Sequence, residues 1–133
     1  MKTNILFLSA LLLTGSLLNA EIKPSRLTCE YLKDPQVIDV AHPRLSWVNL
    51  AEAGERGQIQ TAREIRVAST RKKLLSGEPD LWNSGRVMSE VSFNVLYGGR
   101  ELTSGQECWW QVRVWDRKGK VSDWSEQIGR AHV

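Results

Sequence analysis

The amino-acid sequence predicts an all-β fold, an antiparallel β-sandwich of about seven strands with one short helical insertion near residues 70–76. Apolar side chains recur at every second position in several short segments, which is the period of a half-buried strand. Turn-forming residues separate these segments at the spacing typical of sandwiches. The chain has 133 residues, 41% of them hydrophobic and 25% charged, so its size and composition suit one folded domain.

Residues 1–20 are predicted to be a secretory signal peptide. Lys2 gives a positive start, residues 5–18 form a mostly apolar run, and Ala20 is a small residue suited to signal peptidase. The run is short for a membrane-spanning helix, and no stop-transfer pattern follows it. We therefore expect a secreted or periplasmic protein that is free of the membrane after cleavage, with an uncleaved N-terminal anchor as the alternative.

Two strands are predicted before residue 51. Residues 27–32 place Leu27, Cys29 and Tyr31 on one face, and the turn residues Asp34 and Pro35 follow. Residues 44–50 form the second strand, in which Leu45, Trp47 and Asn49 alternate with Ser46 and Val48. Pro43 precedes this strand, where a missing N–H costs little.

Residues 52–57 are predicted to be a loop, because they combine two glycines with charged residues. A third strand is predicted over residues 60–68, with Ala62, Glu64, Arg66 and Ala68 on one side. Its apolar side is thin, which predicts an exposed edge or a partly covered surface.

Residues 69–76 are the helical candidate, with Ser69 or Thr70 as N-cap, Leu74 and Leu75 facing inward and Gly77 closing the turn. Residues 79–85 follow as an irregular segment that is expected to hold Leu81 and Trp82 against the sandwich. Alternation of Val91, Phe93, Val95 and Tyr97 with polar residues then predicts another strand.

The strongest pattern lies in residues 107–126, which contain four of the six tryptophans. One face of the predicted strand is apolar and consists of Cys108, Trp110, Val112 and Val114. The other face consists of Trp109, Gln111, Arg113 and Trp115. A turn at residues 117–120 and a return through Val121 and Trp124 complete a closing hairpin.

The tryptophans divide into two predicted groups. Trp47, Trp82 and Trp110 are expected in the core. Trp109 and Trp115 share the outer face with Arg113, which favours a cation–π stack completed by Trp124. The alternative is that these rings stack on sugars.

Composition and cysteine usage exclude several classes of function. The formal charge is +3, and basic and acidic residues are interleaved beyond residues 71–73, so no nucleic-acid partner is predicted. Cys29 and Cys108 are the two cysteines. A disulfide and two buried free thiols both fit an exported chain, and the strand positions favour free thiols. Two sulfurs with no nearby histidine make no zinc site.

No catalytic, cofactor-binding or metal-binding residues are predicted. Five carboxylates cluster in the second half, at turns or strand ends, where we expect them to be solvated: Glu101, Glu107, Asp116, Asp123 and Glu126. An inverting glycosidase needs two carboxyls about 6.5–9.5 Å apart beside a sugar-sized cleft. The histidines, His42 and His132, have no evident nucleophile partner.

Residues 102–119 resemble the second half of a fibronectin type III domain. Leu102, Gly105, Trp110 and Gly119 stand where that family has its leucine, turn glycine, core residue and hairpin glycine. Cys108 is a departure, because it stands at the position of the corner tyrosine. The resemblance implies a fibronectin type III or Ig-like sandwich without the usual tyrosine hydrogen bond.

A second resemblance covers residues 21–126. Its fragments, in order, include residues 27–32, 43–47, 56–58, 60–62, 67–69, 80–85 and 110–116, which read LTCEYL, PRLSW, RGQ, QTA, VAS, DLWNSG and WQVRVWD. This span is similar to the N-terminal β-sandwich of bacterial α-L-rhamnosidases. The resemblance implies a non-catalytic accessory module, followed by further sandwich domains and an α/α-barrel that removes terminal α-L-rhamnose with inversion. The implied partners are these downstream domains and a rhamnose-containing glycan. A stand-alone carbohydrate-binding or adhesive module is the alternative.

Residues 127–133 are predicted to be a tail left by truncation. One reading frame of a common sequencing adapter encodes residues 128–133, IGRAHV. We hypothesise that these residues are an assembly artefact and that the gene continues.

Overall fold

A computed structural model describes residues 20–51 and 59–133, and within them it has two antiparallel sheets. The predicted signal peptide, apart from Ala20, and the predicted loop at residues 52–57 lie outside the described residues. The three-stranded sheet has the order β1-β2-β6 and comprises β1 (Ile22–Cys29), β2 (Arg44–Ala51) and β6 (Val95–Leu96). In the part described, no helix is long and apolar enough to cross a membrane.

The five-stranded sheet has the order β4-β3-β7-β8, and β5 also pairs with β3. Its strands are β3 (Ala62–Ala68), β4 (Trp82–Asn83), β5 (Val87–Met88), β7 (Glu107–Trp115) and β8 (Gly129–His132). The helix α1 (Arg71–Leu75) lies between β3 and β4. The predicted sandwich with one short helix is therefore confirmed, with three two-residue strands among its eight in the described ranges.

The core lies between the sheets and follows the alternation of β7. Trp110, Val112 and Val114 are buried, and β3 sets Val67, Ile65 and Arg63 opposite them. The three-stranded sheet contributes inward-facing side chains of which the largest is Trp47, and its indole Nε1 donates to Gln60 Oε1 at 3.2 Å. Trp82 is half-buried and packs against this cluster. The predicted core positions of Trp47 and Trp110 are thus confirmed, whereas Trp82 lies at the margin of the core.

β1 differs from its prediction at both ends. It begins at Ile22 and ends at Cys29, after which Glu30 and Tyr31 have positive φ values of 50° and 66°. Cys29 and Leu32 exchange two backbone hydrogen bonds of 2.9 and 3.0 Å across this turn. Tyr31 is therefore exposed, and the prediction that it shares a buried face with Leu27 and Cys29 is wrong.

Of the two alternatives predicted for β3, the exposed edge is wrong and the partly covered surface is confirmed. β3 pairs with β7 along its whole length on one side and with β4 and β5 on the other. Its outer face carries charged residues because those side chains pair across strands, as Glu64 does with Arg113.

The predicted strand at residues 91–97 forms only at Val95–Leu96. Asn94 has a φ of 56°, which interrupts the extended backbone, so Val95 and Tyr97 are buried while Val91 and Phe93 are exposed. The Tyr97 hydroxyl donates to the Arg100 carbonyl oxygen at 2.5 Å. Tyr97 thus makes a hydrogen bond to the backbone of a nearby residue. Cys108, which stands at the position of the corner tyrosine, is buried.

The helix has the predicted N-cap, Thr70, whose side chain accepts a hydrogen bond from the Lys73 backbone N–H. Leu74 is fully buried, but Leu75 is 50% exposed, so its predicted inward position is wrong. A helix of about one and a half turns presents only one of these two leucines to the sheet.

Residues 129–132 pair with the beginning of β7, and Ala131 is fully buried. Backbone hydrogen bonds of a strand require no particular side chains. The side chains are more constrained, since an added Cβ at Gly129 would clash with the Trp110 indole nitrogen. The adapter origin of residues 128–133 stays a prediction.

Candidate functional site

The outer face of the five-stranded sheet carries tryptophan rings covered by arginines, and we call these residues the Arg–Trp face. Arg66 lies 4.1 Å and Arg113 4.7 Å from the centroid of the Trp124 ring. Arg113 lies 5.5 Å and Arg86 4.7 Å from that of Trp115. The Arg130 guanidinium lies 4.9 Å from the Trp109 centroid. The predicted stack of Arg113 with Trp115 and Trp124 is confirmed, and Arg66 and Arg86 extend it. The predicted contact of Arg113 with Trp109 is wrong, because the guanidinium over Trp109 is that of Arg130.

Neighbouring polar groups orient the arginines of this face. The Arg113 guanidinium lies 2.6 Å from Glu64 Oε1, its cross-strand partner. Arg66 Nη2 donates to Gln111 Oε1 at 2.8 Å. Burial lowers the pKa of Arg66, and the nearby Arg113 charge adds to this effect. Because an arginine remains charged even so, both cations stay available to the indole ring.

The Arg–Trp face is therefore poorly suited to stacking on a sugar. A pyranose ring needs the open face of an aromatic ring, whereas guanidinium groups already lie over all three tryptophans. Trp115 is only 9% exposed. The arrangement shields apolar rings that would otherwise form an exposed patch.

Asp116 supports the turn that follows β7. The predicted return strand of a closing hairpin is wrong, because residues 121–128 form only one β-bridge with β7, between Trp115 and Val121. The Asp116 side chain is buried and accepts hydrogen bonds from the backbone N–H groups of Lys118, Lys120 and Glu21 at 2.9, 2.9 and 3.1 Å. Burial alone would raise the pKa of Asp116, but these N–H groups outweigh it and the pKa is lowered. The prediction of a solvated turn carboxylate is wrong for Asp116, whose role is to hold the turn.

The other four carboxylates of the predicted cluster are dispersed over the surface. Glu107 pairs with Arg130 at 2.5 Å, and this pairing lowers the Glu107 pKa. Glu126 is exposed and lies 4.0 Å from Lys23 Nζ, while Glu101 and Asp123 are exposed. Among the described residues, no group of three or more histidine, cysteine, aspartate or glutamate side chains could hold a metal ion.

Two clefts indent the described surface. One, of about 340 Å³, separates the beginning of β1 from residues 122–127 and is lined by Lys23, Asp123, Trp124 and Glu126. Its two carboxylates, Asp123 and Glu126, are exposed to solvent. The second, of about 570 Å³, lies beside the Glu107–Arg130 pair and also contains His132. His42 lies elsewhere, with Nδ1 3.2 Å from the Tyr97 carbonyl oxygen.

Cys29 and Cys108 are both free and buried in the core. Burial raises the pKa of Cys29 to about 12 and that of Cys108 to about 11. Since the thiolate is the reactive form, neither sulfur is activated as a nucleophile. Of the two states open from the sequence, the structure has the free thiols.

The outer face of the three-stranded sheet is different, because most of its apolar residues are uncovered. We call these residues the apolar face: Tyr31, Val48, Leu50, Phe93 and Leu96. Tyr31 is 52%, Phe93 59% and Leu96 62% exposed. One arginine, Arg44, lies 4.9 Å from the centroid of the Tyr31 ring. Sequence reasoning missed this surface because alternation predicted Tyr31 and Phe93 to be inward. The sequence contains only a weak signal for the turns near these two residues, because no glycine marks them.

Comparison with known proteins gives a consistent set of relatives. The family model described as "Rha78A-like, N-terminal immunoglobulin domain" matches residues 24–129. An α-L-rhamnosidase of Streptomyces avermitilis is 44% identical over 96 residues, and one of Formosa agariphila is 40% identical over 93 residues. These alignments cover 72% and 70% of this chain but 9% and 10% of the relatives. The chain thus spans about a tenth of the length of the curated relatives it matches.

Solved structures show the same relationship. The crystal structure of Streptomyces avermitilis α-L-rhamnosidase complexed with L-rhamnose matches with a TM-score of 0.75 and 37% identity, over 83% of this chain and 10% of that one. The α-L-rhamnosidase structure from Dictyoglumus thermophilum matches with a TM-score of 0.74 and 29% identity, over 82% and 12% respectively.

Proposed function

Because the chain belongs to the Rha78A-like N-terminal immunoglobulin domain family, we propose that it is the non-catalytic N-terminal accessory module of a secreted α-L-rhamnosidase. The parent enzyme hydrolyses terminal α-L-rhamnose from glycans or glycosides. Its catalytic residues belong to domains outside this chain, and the module packs against those domains.

The extent of the matches carries this proposal. Two α-L-rhamnosidases align with this chain over only 9% and 10% of their length, so the remaining nine-tenths of each is available for the catalytic machinery. The chemistry of the described residues agrees with that division. Asp116 and Glu107 are engaged in a turn and an ion pair, and Asp123 and Glu126 line an open cleft.

Export is a further part of the proposal. Residues 1–20 have the charged start, apolar run and small final residue of a signal peptide, which would place the enzyme in the periplasm or outside the cell. Determination of the N-terminal residue of the protein recovered from the periplasm and medium tests this. Glu21 is the expected first residue, and an intact N-terminus in the membrane fraction would contradict export as a free protein.

The test of function compares this chain with the full-length polypeptide encoded by its gene. Sequencing of genomic DNA across the codon for Val133 comes first, and the open frame is expected to continue in place of residues 128–133. The full-length polypeptide is then assayed with an aryl α-L-rhamnoside, beside the chain as it stands. We expect hydrolysis by the former alone. Hydrolysis by the chain itself, or an inactive full-length polypeptide, would overturn the proposal.

A sugar titration separates the accessory module from a carbohydrate-binding module. Tryptophan fluorescence of the chain is recorded as L-rhamnose and an aryl α-L-rhamnoside are added. A flat response is expected because guanidinium groups cover the outer tryptophan rings. A saturable response that disappears in Trp124→Ala but persists in Trp109→Ala would instead assign a sugar site to the cleft beside Trp124.

A further inference from the structure

The apolar face lies on the outer side of the three-stranded sheet, and its members are 39% to 62% exposed. Tyr31 and Phe93 contact each other with ring centroids 5.8 Å apart. Leu96 lies opposite Arg44 across β2 and β6, and Val48 and Leu50 follow along the same side of β2. Exposed patches of this kind on a soluble protein mark surfaces that bind another molecule or domain.

Backbone strain places the aromatic pair in the open. Glu30 and Tyr31 occupy the two central positions of a tight turn with φ values of 50° and 66°, where glycine or asparagine is usual. Asn94, next to Phe93, also has a positive φ, of 56°. Left-handed conformations of residues other than glycine cost free energy and persist where the surrounding structure enforces them, often at functional sites.

An ion pair holds Tyr31 in position. Glu30 Oε2 accepts a hydrogen bond from Arg44 Nη2 at 2.7 Å, and Glu30 Oε1 accepts one from the Arg44 backbone N–H at 2.6 Å. The Arg44 guanidinium lies 4.9 Å from the centroid of the Tyr31 ring. Ordered aromatic and arginine side chains lose little conformational entropy on binding, and these residue types dominate the energetics of interfaces.

We propose that the apolar face is the surface on which another domain of the same polypeptide docks, with Tyr31, Phe93 and Leu96 at its centre. This inference rests on the proposed function, because the relatives continue for nine-tenths of their length beyond the matched span. The opposite outer face is already covered by its own arginines. The apolar face presents apolar side chains beside the charged residues Lys23, Glu30 and Arg44, which is the anatomy of an interface.

Hydroxyl-radical footprinting tests this docking directly. The oxidation rates of Tyr31, Phe93 and Leu96 are compared between this chain and the full-length polypeptide. Met88 is the matched control, because it is 70% exposed but lies on the five-stranded sheet. We expect at least a fivefold protection of the three residues in the full-length polypeptide, with Met88 changed by less than twofold. Equal rates in both proteins would overturn the proposal.

Other occupants give different results. If a second copy of the chain covers the face, protection appears in the chain alone, rises with its concentration and accompanies dimers in sedimentation. If a rhamnoside covers it, protection appears only when the sugar is added. Either result overturns docking by another domain.

A pair of substitutions gives a second readout. Phe93→Lys and Met88→Lys each place a charge at an exposed apolar position. In the chain alone, both are expected to leave the melting temperature within 2 °C. In the full-length polypeptide, Phe93→Lys is expected to increase the rate of proteolytic release of the module at least fivefold, and Met88→Lys to leave it unchanged. Equal release from both variants contradicts the inference.

The rhamnosidase assay keeps the two proposals apart. A full-length polypeptide that hydrolyses rhamnosides while Tyr31 and Phe93 remain as reactive as in the chain alone would refute the docking surface and retain the proposed function. An inactive full-length polypeptide that protects both residues would refute the function and retain the docking surface.

Discussion

The two outer faces of the sandwich treat exposed aromatic side chains in opposite ways. On the five-stranded sheet, each outer tryptophan lies beneath at least one arginine of the same chain. On the three-stranded sheet, Tyr31 and Phe93 remain more than half exposed. Both faces carry aromatic residues and arginines, so composition does not separate them.

The difference comes from cross-strand register. On β3 and β7, Glu64 pairs with Arg113 and Arg66 with Gln111, which directs the guanidinium groups along the sheet and over the rings. The three-stranded sheet has one such arginine, Arg44, and its ion pair with Glu30 sits at the end of the sheet. A self-covered face suits a structural role, and an uncovered face suits a partner.

The largest effect is expected in the interior that both faces share. Trp110 is 1% exposed, and Trp110→Ala should lower the free energy of unfolding by about 3–5 kcal/mol. Urea unfolding followed by circular dichroism measures this change. A loss below about 1 kcal/mol would mean that the sheets do not pack through this side chain.

The Arg–Trp face should contribute measurable stability. Trp124→Ala removes contacts with two arginines and a half-buried ring, so we expect a loss of about 2 kcal/mol in the free energy of unfolding. Trp109→Ala, which removes a contact with one arginine, is the matched comparison and should cost about half as much. Equal losses in urea titrations of the two variants would argue against the stack.

The stability of the turn that follows β7 should depend on pH through Asp116. Its pKa in the folded protein is lowered from 3.8, so the carboxylate adds stability that is fully present above the unfolded value. This stability is lost as the pH falls through the lower folded pKa. Asp116→Asn should therefore be about 1.5 kcal/mol less stable than the natural protein at pH 7. The difference between the two free energies of unfolding should narrow below pH 3.8, and unfolding curves at pH 7, 5 and 3 measure this difference. A difference independent of pH would contradict the role of the charge.

The smallest effect is expected on the apolar face. Phe93→Ser in the chain alone should change the free energy of unfolding by less than about 0.5 kcal/mol, because the ring is 59% exposed. Val95→Ala, two residues away but 4% exposed, should cost roughly 2 kcal/mol. A comparable loss in both variants would show that Phe93 belongs to the core and not to a surface left open for a partner.

Structural features were predictable from the sequence where the residues that decide them lie close together along the chain. Period-two alternation over β7 predicts its inward side, and Cys108, Trp110, Val112 and Val114 are buried there. The outer side is less exposed than the alternation predicts, because Gln111 and Trp115 on it are also buried. The capping residue Thr70 was predictable for the same reason, since its hydrogen bond reaches only three residues along the chain. The stack of Arg113 with Trp115 and Trp124 followed from residues within one short segment of the chain.

Errors arose where distant segments decide the outcome. The thin apolar side of β3 left an exposed edge and a partly covered surface both open, and only pairing with β7 and two short strands decides against the edge. Arg66 and Arg86 were missed as members of the Arg–Trp face because β3 and the residues after β4 bring them to tryptophans far along the chain.

The identity of the inner face, the all-β class and the short helix follow from local order, because strand and helix periods act between residues a few positions apart. Which outer face is covered depends on contacts between residues tens of positions apart and on the positive φ values near Tyr31 and Phe93. No local period encodes those contacts. Only the packing of the two sheets decided that one aromatic surface is covered by the chain itself and the other stays open.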